Sequence, residues 1–258
     1  MAVDRAPGNR QSHACVSTLL LIRHGQASLG APDYDVLSPL GELQARRLGD
    51  YLAGLLRRPP DLIVTGPRKR QRDTASLLVA AARERGADFP DPVESPAFDE
   101  YPALEIMQRH LQRLATDDAE LGGHLADLQR HAATTREHRR AFEATFQRMM
   151  RHWHDDRLGD PEIEACLGFQ DRVQRGLAGL MQARGQDVLV VSSAGPVGVG
   201  MRIGLELDPW AAIKASFVVA NSSITELRSS PARSDGAPIL ISFNALPHLH
   251  DPAEITLR

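Results

Sequence analysis

The chain has 258 residues, with 30 Lys+Arg against 33 Asp+Glu and a formal charge of −3. That length fits one large α/β domain or two small ones, and the balanced charge argues against a general polyanion binder such as a nucleic-acid-binding protein. A composition of 42% hydrophobic and 24% charged residues excludes a disordered chain.

Lys69 and Lys214 are the only lysines, so the cations are almost all arginine. No apolar run approaches the ~20 residues of a membrane span. Cys15 and Cys166 are too few for a disulfide framework or a four-cysteine zinc site, and a reduced cytoplasmic setting is expected. Residues 1–15 are polar, contain Pro7, Gly8 and Asn9, and read as a flexible tail. The run Val16–Ile22 is too short, and wrongly followed by Arg23-His24, for a signal peptide.

Thr18–Ile22 is an uninterrupted apolar run of the kind buried strands show, and it ends in Arg23-His24-Gly25-Gln26. Ser38-Pro39 reads as an N-cap and first-turn proline, and Leu40, Leu43, Leu48, Leu52 and Leu55 continue at helical spacing. Pro59-Pro60 stops that helix. Leu62–Val64 is a second short strand, leading through Thr65-Gly66-Pro67-Arg68-Lys69-Arg70 into a helix with Thr74, Leu77 and Leu78. From about 103 to 184 strand signals almost vanish. Phe142, Phe146, Met149, Met150 and Trp153 form one helical stripe, and Phe169, Val173, Leu177 and Leu180 another. Asp187–Val191 is a third strand, opening into Ser192-Ser193-Ala194-Gly195-Pro196 and a helix. Phe217–Ala220, Ile224–Leu227 and Ile239–Phe243 are the last predicted strands.

Strands separated by helices predict an α/β fold, three layers deep around a mostly parallel sheet. Residues 16–258 are expected to form one domain with a helical cap insertion at about 103–184. In such sheets, ligands sit beyond the carboxyl ends of the strands. Arg23-His24-Gly25, Arg70 and Ser192-Ser193 all fall there. Arginine's planar fork matches phosphoryl oxygens in pairs, so Arg23 and Arg70 suit a phosphate clamp. Gly25 lets backbone approach a ligand closely. Neighbouring guanidinium charge disfavours imidazolium, leaving His24 a lone pair with which to attack phosphorus. Asp99 or Glu100 is placed to protonate the leaving oxygen. Trp153 is flanked by His152 and His154, which share no helix face, so no metal site is expected.

The segment Leu20-Leu-Ile-Arg23-His24-Gly25-Gln26 resembles the opening motif of the histidine phosphatase superfamily, the phosphoglycerate-mutase-like proteins. Leu37–Ala45, Gly66–Ala75, Phe98-Asp99-Glu100 and Val190–Gly195 resemble four further family segments, in order. The resemblance implies a phosphatase using no cofactor, acting on a small-molecule or protein phosphomonoester. It makes His24 the phosphoryl acceptor, Arg23 and Arg70 phosphate clamps with Gly25 beside them, and Glu100 the general acid, with Asp99 the poorer match. Gln26 and Ser28, just after the motif, are further candidates. The sequence departs from the family twice. The family's asparagine, six residues after the nucleophile, falls on Gly30. Its second histidine falls on Ser193, which can donate a hydrogen bond but carries no charge. The Arg-His-Gly-Gln-Ala opening with Ser192-Ser193 is similar to a branch with serine at this place. Losing one charge stabiliser typically costs ~10²–10³ in rate. His248 or His250 could fold back as a replacement imidazole, against the plainer reading of exposed tail histidines. A phosphate-binding protein without turnover is the alternative function. A mutase ranks third, because Asp99–Leu104 lacks the longer acid-region motif of the mutases.

Overall fold

A computed structural model describes residues 16–28, 35–182, 185–229 and 237–257. The predicted tail and Gly30 lie outside the described residues. Six strands build one sheet among these: β1 (Thr18–Arg23), β2 (Leu62–Thr65), β3 (Val93–Glu94), β4 (Asp187–Ser192), β5 (Ile224–Arg228) and β6 (Ile239–Ala245), in the order β3-β2-β4-β1-β5-β6. β3, β2, β4 and β1 run parallel, β5 is antiparallel to β1, and β6 is antiparallel to β5. β1, β2 and β4 read as apolar runs because both their faces are covered. Leu20, Ile22, Leu189 and Val191 point to one core, whereas Leu19, Leu21, Val188 and Val190 point to the other.

Helices α1 (Pro39–Leu55) and α2 (Lys69–Glu84) fill the first face with Leu48, Leu52 and Leu78. Ser38 caps α1 as its hydroxyl accepts from the Gly41 amide at 3.0 Å, with Pro39 opening the first turn. Four helices stand between β3 and β4: α3 (Ala103–Asp117), α4 (Ala119–Arg130), α5 (Arg136–His154) and α6 (Cys166–Met181). With α7 (Ala194–Leu205) and α8 (Pro209–Ser216) they cover the other face, giving the expected three layers. The two predicted stripes pack there, with Met149, Met150, Trp153, Phe169, Val173 and Leu177 all buried.

One predicted strand is absent. Phe217–Ala220 follows α8 as a turn and irregular backbone. The Asp208 carboxylate caps α8 by accepting from Ala211 N at 3.2 Å, and the chain leaves that helix through a turn at Phe217 and Val218. Val219 and Ala220 are apolar because they are buried under the sheet end, not because they pair in it. β3 escaped the sequence reading because it is two exposed residues long.

Candidate active site

The site forms where β1, β2 and β4 end, and its floor depends on two glycines. A side chain on Gly25 would run into the Gly41 carbonyl, and one on Gly41 would run into the Gln26 carbonyl. The loop after β1 therefore lies directly on the first turn of α1. Gln44 extends the clamp: its Oε1 accepts from Gln26 N at 2.8 Å, and its Nε2 donates to Glu254 O at 2.7 Å. Gly25 N donates to Thr74 Oγ1 at 3.0 Å, and Thr74 in turn donates to Arg70 O at 2.7 Å. So the motif residues Gly41, Gln44 and Thr74 form the frame around His24. Their fixed spacing within the motif segments was the available signal.

His24 is buried, and its ring is fixed at both nitrogens. Nδ1 lies 2.6 Å from the Gly25 carbonyl, which can only accept, so Nδ1 carries the proton. Nε2 is then the unprotonated nitrogen, and it accepts from Arg70 Nε at 3.0 Å. Burial pushes the imidazole well below the ordinary histidine range, and the charges of Arg70 and Arg23 push it the same way; the Gly25 hydrogen bond opposes them. His24 is a neutral imidazole at pH 7, with the lone pair on the side of Arg70.

Arg70 is buried and also donates through Nη1 to Asp35 Oδ1 at 2.8 Å. Arg23 is buried too, but its Nη1 donates to the Val219 carbonyl and, at 2.7 Å, to Leu257 O. One end of that guanidinium thus holds the C-terminal segment against the sheet. Arg68 is a third cation that His24 feels, and sequence reasoning passed over it. It donates through Nε to Asp99 Oδ1 at 2.6 Å and through Nη2 to Glu100 O at 3.3 Å.

The two neighbouring carboxylates have separate surroundings. Asp99 is tied to Arg68 as an ion pair and accepts from the Glu100 amide at 2.7 Å. The Glu100 carboxylate forms no ion pair among the described residues. Its carboxylate accepts from Gly195 N, at 3.2 Å to each oxygen, and from Tyr101 N at 3.0 Å. Burial raises its pKa; these amides and the charges of Arg70 and Arg23 only partly offset that. A side chain at Gly195 would occupy the place of Glu100 Oε1.

Ser193 lies at the end of β4, where it is the N-cap residue of α7 and is fully buried. Its hydroxyl accepts from Gln71 Nε2 at 2.8 Å. Gln71 also accepts the Arg68 amide at 3.0 Å, so the serine belongs to a neutral network behind the arginines. The other candidates stand apart from the imidazole. Gln26 accepts from Ser38 Oγ at 2.8 Å, and Ser28 N donates to Val36 O at 2.8 Å, both bracing the loop. His248 is neither an exposed tail residue nor a second imidazole beside His24. It is buried with Nε2 2.9 Å from Ser222 Oγ, and Ser222 N donates to the His24 carbonyl at 3.2 Å. Its hydrogen-bonded link to His24 runs through the Ser222 hydroxyl and amide to the His24 carbonyl. His250 is exposed. His152 faces Asp118, 2.8 Å away, whereas His154 faces Cys166 at 3.7 Å, so the pair diverges. No group of three metal-ligating side chains occurs among the described residues.

No curated protein matches this chain in sequence. Solved structures do match its fold. One is a phosphoglycerate mutase from Bacillus anthracis str. Sterne (TM-score 0.62, 17% identity, covering 93% of this chain and 97% of that one). Another is a variant phosphoserine phosphatase from Entamoeba histolytica in complex with phosphoserine (TM-score 0.56, 20% identity, 91% and 100% covered). A third is a mycobacterial glucosyl-3-phosphoglycerate phosphatase with inorganic phosphate (TM-score 0.57, 20% identity, 90% and 99% covered). The family model described as histidine phosphatase superfamily (branch 1) matches residues 19–124 and 127–236. On that match, the chain belongs to the histidine phosphatase superfamily.

Proposed function

We propose that the protein is a phosphomonoester hydrolase that works through a phosphohistidine on His24. The observation that carries this reading is the His24 tautomer. Nδ1–H is committed to the Gly25 carbonyl, so the lone pair sits on Nε2, beside Arg70. Arg70 and Arg23 bring charge to that nitrogen, and Arg70 turns its donors from Nε2 to the phosphoryl oxygens as the ester binds.

Nε2 then attacks phosphorus while the bond to the leaving oxygen breaks. Glu100, which burial shifts toward its protonated form, gives that oxygen its proton. Water next attacks the phosphohistidine, Glu100 takes up the water's proton, and the P–N electron pair returns to Nε2. Inorganic phosphate leaves and both groups are restored. Ser193 supplies no charge, so Arg70 and Arg23 carry the electrostatic load. The related solved structures that act on or hold small phosphoesters support this substrate class.

Ser193 also favours a second reading: a phosphoester-binding protein with little turnover. A mutase ranks behind both, as the segment after Glu100 lacks the mutase motif. Phosphate release from 4-nitrophenyl phosphate and a panel of sugar phosphates, phosphoamino acids and nucleotides tests the choice. Release that falls to background in His24→Ala is the expected result. Tight ester binding without release by the parent chain overturns the hydrolase in favour of the binder.

A further inference from the structure

The segment carrying Glu100 has almost no regular structure of its own. It is a single 3-10 turn, Pro96–Phe98, leading into Asp99-Glu100. Its carbonyls are nonetheless all held by side chains from elsewhere. Phe98 O accepts from Ser192 Oγ at 2.7 Å and from Gln71 Nε2 at 3.4 Å, and Glu100 O accepts from Arg68. Those donors come from β4 and α2. The remaining carbonyls go to one residue of α6: Arg172 Nη1 reaches Pro96 O at 3.0 Å, Ala97 O at 3.0 Å and Asp99 O at 3.3 Å.

Arg172 is itself fixed. Glu164 takes its Nε at 2.8 Å and its Nη2 at 2.7 Å, in a fork-to-fork pair. The Glu164 carbonyl is held in turn by Trp153 Nε1 at 2.8 Å. The guanidinium also stands over the Phe169 ring, 5.2 Å from its centroid. Gly176, one turn further along α6, allows the close approach: a Cβ there would lie 2.9 Å from Ala97 Cβ and 3.1 Å from Phe98 Cζ. Two independent features of α6 thus press on the acid-bearing turn, and neither touches His24.

The structure assigns Arg172 the role of a positioning residue, which fixes the reach of Glu100 toward the leaving oxygen and couples the α3–α6 helices to proton transfer. This rests on the reading of Glu100 as general acid. A misplacement on the order of 1 Å in such a group costs up to about 10²-fold in rate. The loss has a signature that plain destabilisation lacks. An acidic nitrophenol leaves without a proton, whereas an alcohol needs one, so loosening Glu100 slows the transfer step, read as kcat/KM, for alkyl phosphates and spares it for 4-nitrophenyl phosphate.

The experiment compares kcat/KM, which reports phosphoryl transfer to His24 and not the later hydrolysis, on 4-nitrophenyl phosphate and on an alkyl phosphate for the parent chain, Glu100→Gln, Arg172→Met, Arg172→Lys and Glu164→Gln. Methionine keeps an unbranched side chain over Phe169 and removes every donor. Expected is an alkyl-selective loss in Glu100→Gln, a loss of the same pattern of about 10- to 100-fold in Arg172→Met, and partial recovery in Arg172→Lys. Glu164→Gln follows the same pattern more weakly, and supplies the test if Arg172→Met does not fold. Equal losses on both substrates, or none, in the Arg172 and Glu164 variants while Glu100→Gln stays selective overturn the role of Arg172 alone. No selectivity in Glu100→Gln overturns the acid and the assignment with it.

Discussion

At the scale of single residues, the site sets two pKa values moving in opposite directions. Burial and two arginines hold His24 below the usual histidine range, so it stays neutral on the acid side of neutrality. Burial holds Glu100 above the usual carboxyl range, so it keeps its proton longer. Hydrolysis of an alkyl phosphate needs both states at once. Its kcat/KM is therefore predicted to be highest on the acid side of neutrality and to fall as pH rises through the raised Glu100 value. The same profile taken with 4-nitrophenyl phosphate is predicted to be flatter at high pH. Two parallel profiles would mean that Glu100 donates nothing. Gly195 is the sharpest steric constraint on this pair. Gly195→Ala places a methyl where Glu100 Oε1 sits, so alkyl phosphate turnover is predicted to fall by about 10²-fold or more. Unchanged kinetics in that variant would show that the carboxylate is free to move. The sequence could propose His24, Arg70 and Glu100 because each sits in a short motif similar to one of the family's. Arg68, Gln71 and Arg172 were not, because their roles come from contacts between distant segments.

At the scale of elements, the helical region between β3 and β4 is held by partly buried polar contacts as well as by apolar packing. The Asp118 carboxylate joins two of these helices, α4 and α5. Its Oδ1 caps α4 by accepting from Glu120 N at 3.0 Å and Leu121 N at 3.1 Å. Its Oδ2 takes Arg148 Nε at 2.6 Å and His152 Nε2 at 2.8 Å, both from α5. Arg148 holds the carboxyl well below the usual aspartate range. A depressed carboxylate pKa adds stability above the unfolded value of ~3.9 and loses it as pH falls toward the folded value. Asp118→Ala is thus predicted to cost about 2 kcal/mol at pH 7, through the lost cap and the stranded partners. Urea unfolding at pH 7 and pH 3 measures this, and the difference from the parent should shrink at pH 3. These helices were legible from their apolar stripes. Their ion pairs were not, because a charge on a helix reads as solvated until its partner is known. The false strand at Phe217–Ala220 has a related origin: burial and pairing leave the same apolar signature in a short segment.

At the scale of the whole molecule, the C-terminal segment acts as a strap across the sheet end. Thr256 O accepts from Asn221 N at 2.8 Å, Leu257 O accepts from Arg23, and Glu254 pairs with Arg47 on α1. His248 is the buried titratable group of this strap, and burial lowers it to about 4. A histidine with a depressed folded pKa loses stability as pH falls from its unfolded value of ~6.5 through the folded one. On the order of 3 kcal/mol disappears across that window. His248→Gln is predicted to unfold less readily between pH 6 and pH 4 than the parent, by circular dichroism; an unchanged acid transition would place the sensitivity elsewhere. The sequence raised His248 with His250 as a possible fold-back imidazole but could not place it, because its partner Ser222 is 26 residues away in the chain. The central claim concerns a bond formed on one nitrogen of the whole chain. The direct measurement is intact-mass analysis and peptide mapping of protein quenched in base, which preserves phosphohistidine, within the first turnover of a phosphate ester. The account predicts one added phosphoryl group, located on His24 and absent from His24→Ala. A phosphoryl group on another residue, or turnover that persists in His24→Ala, would contradict it.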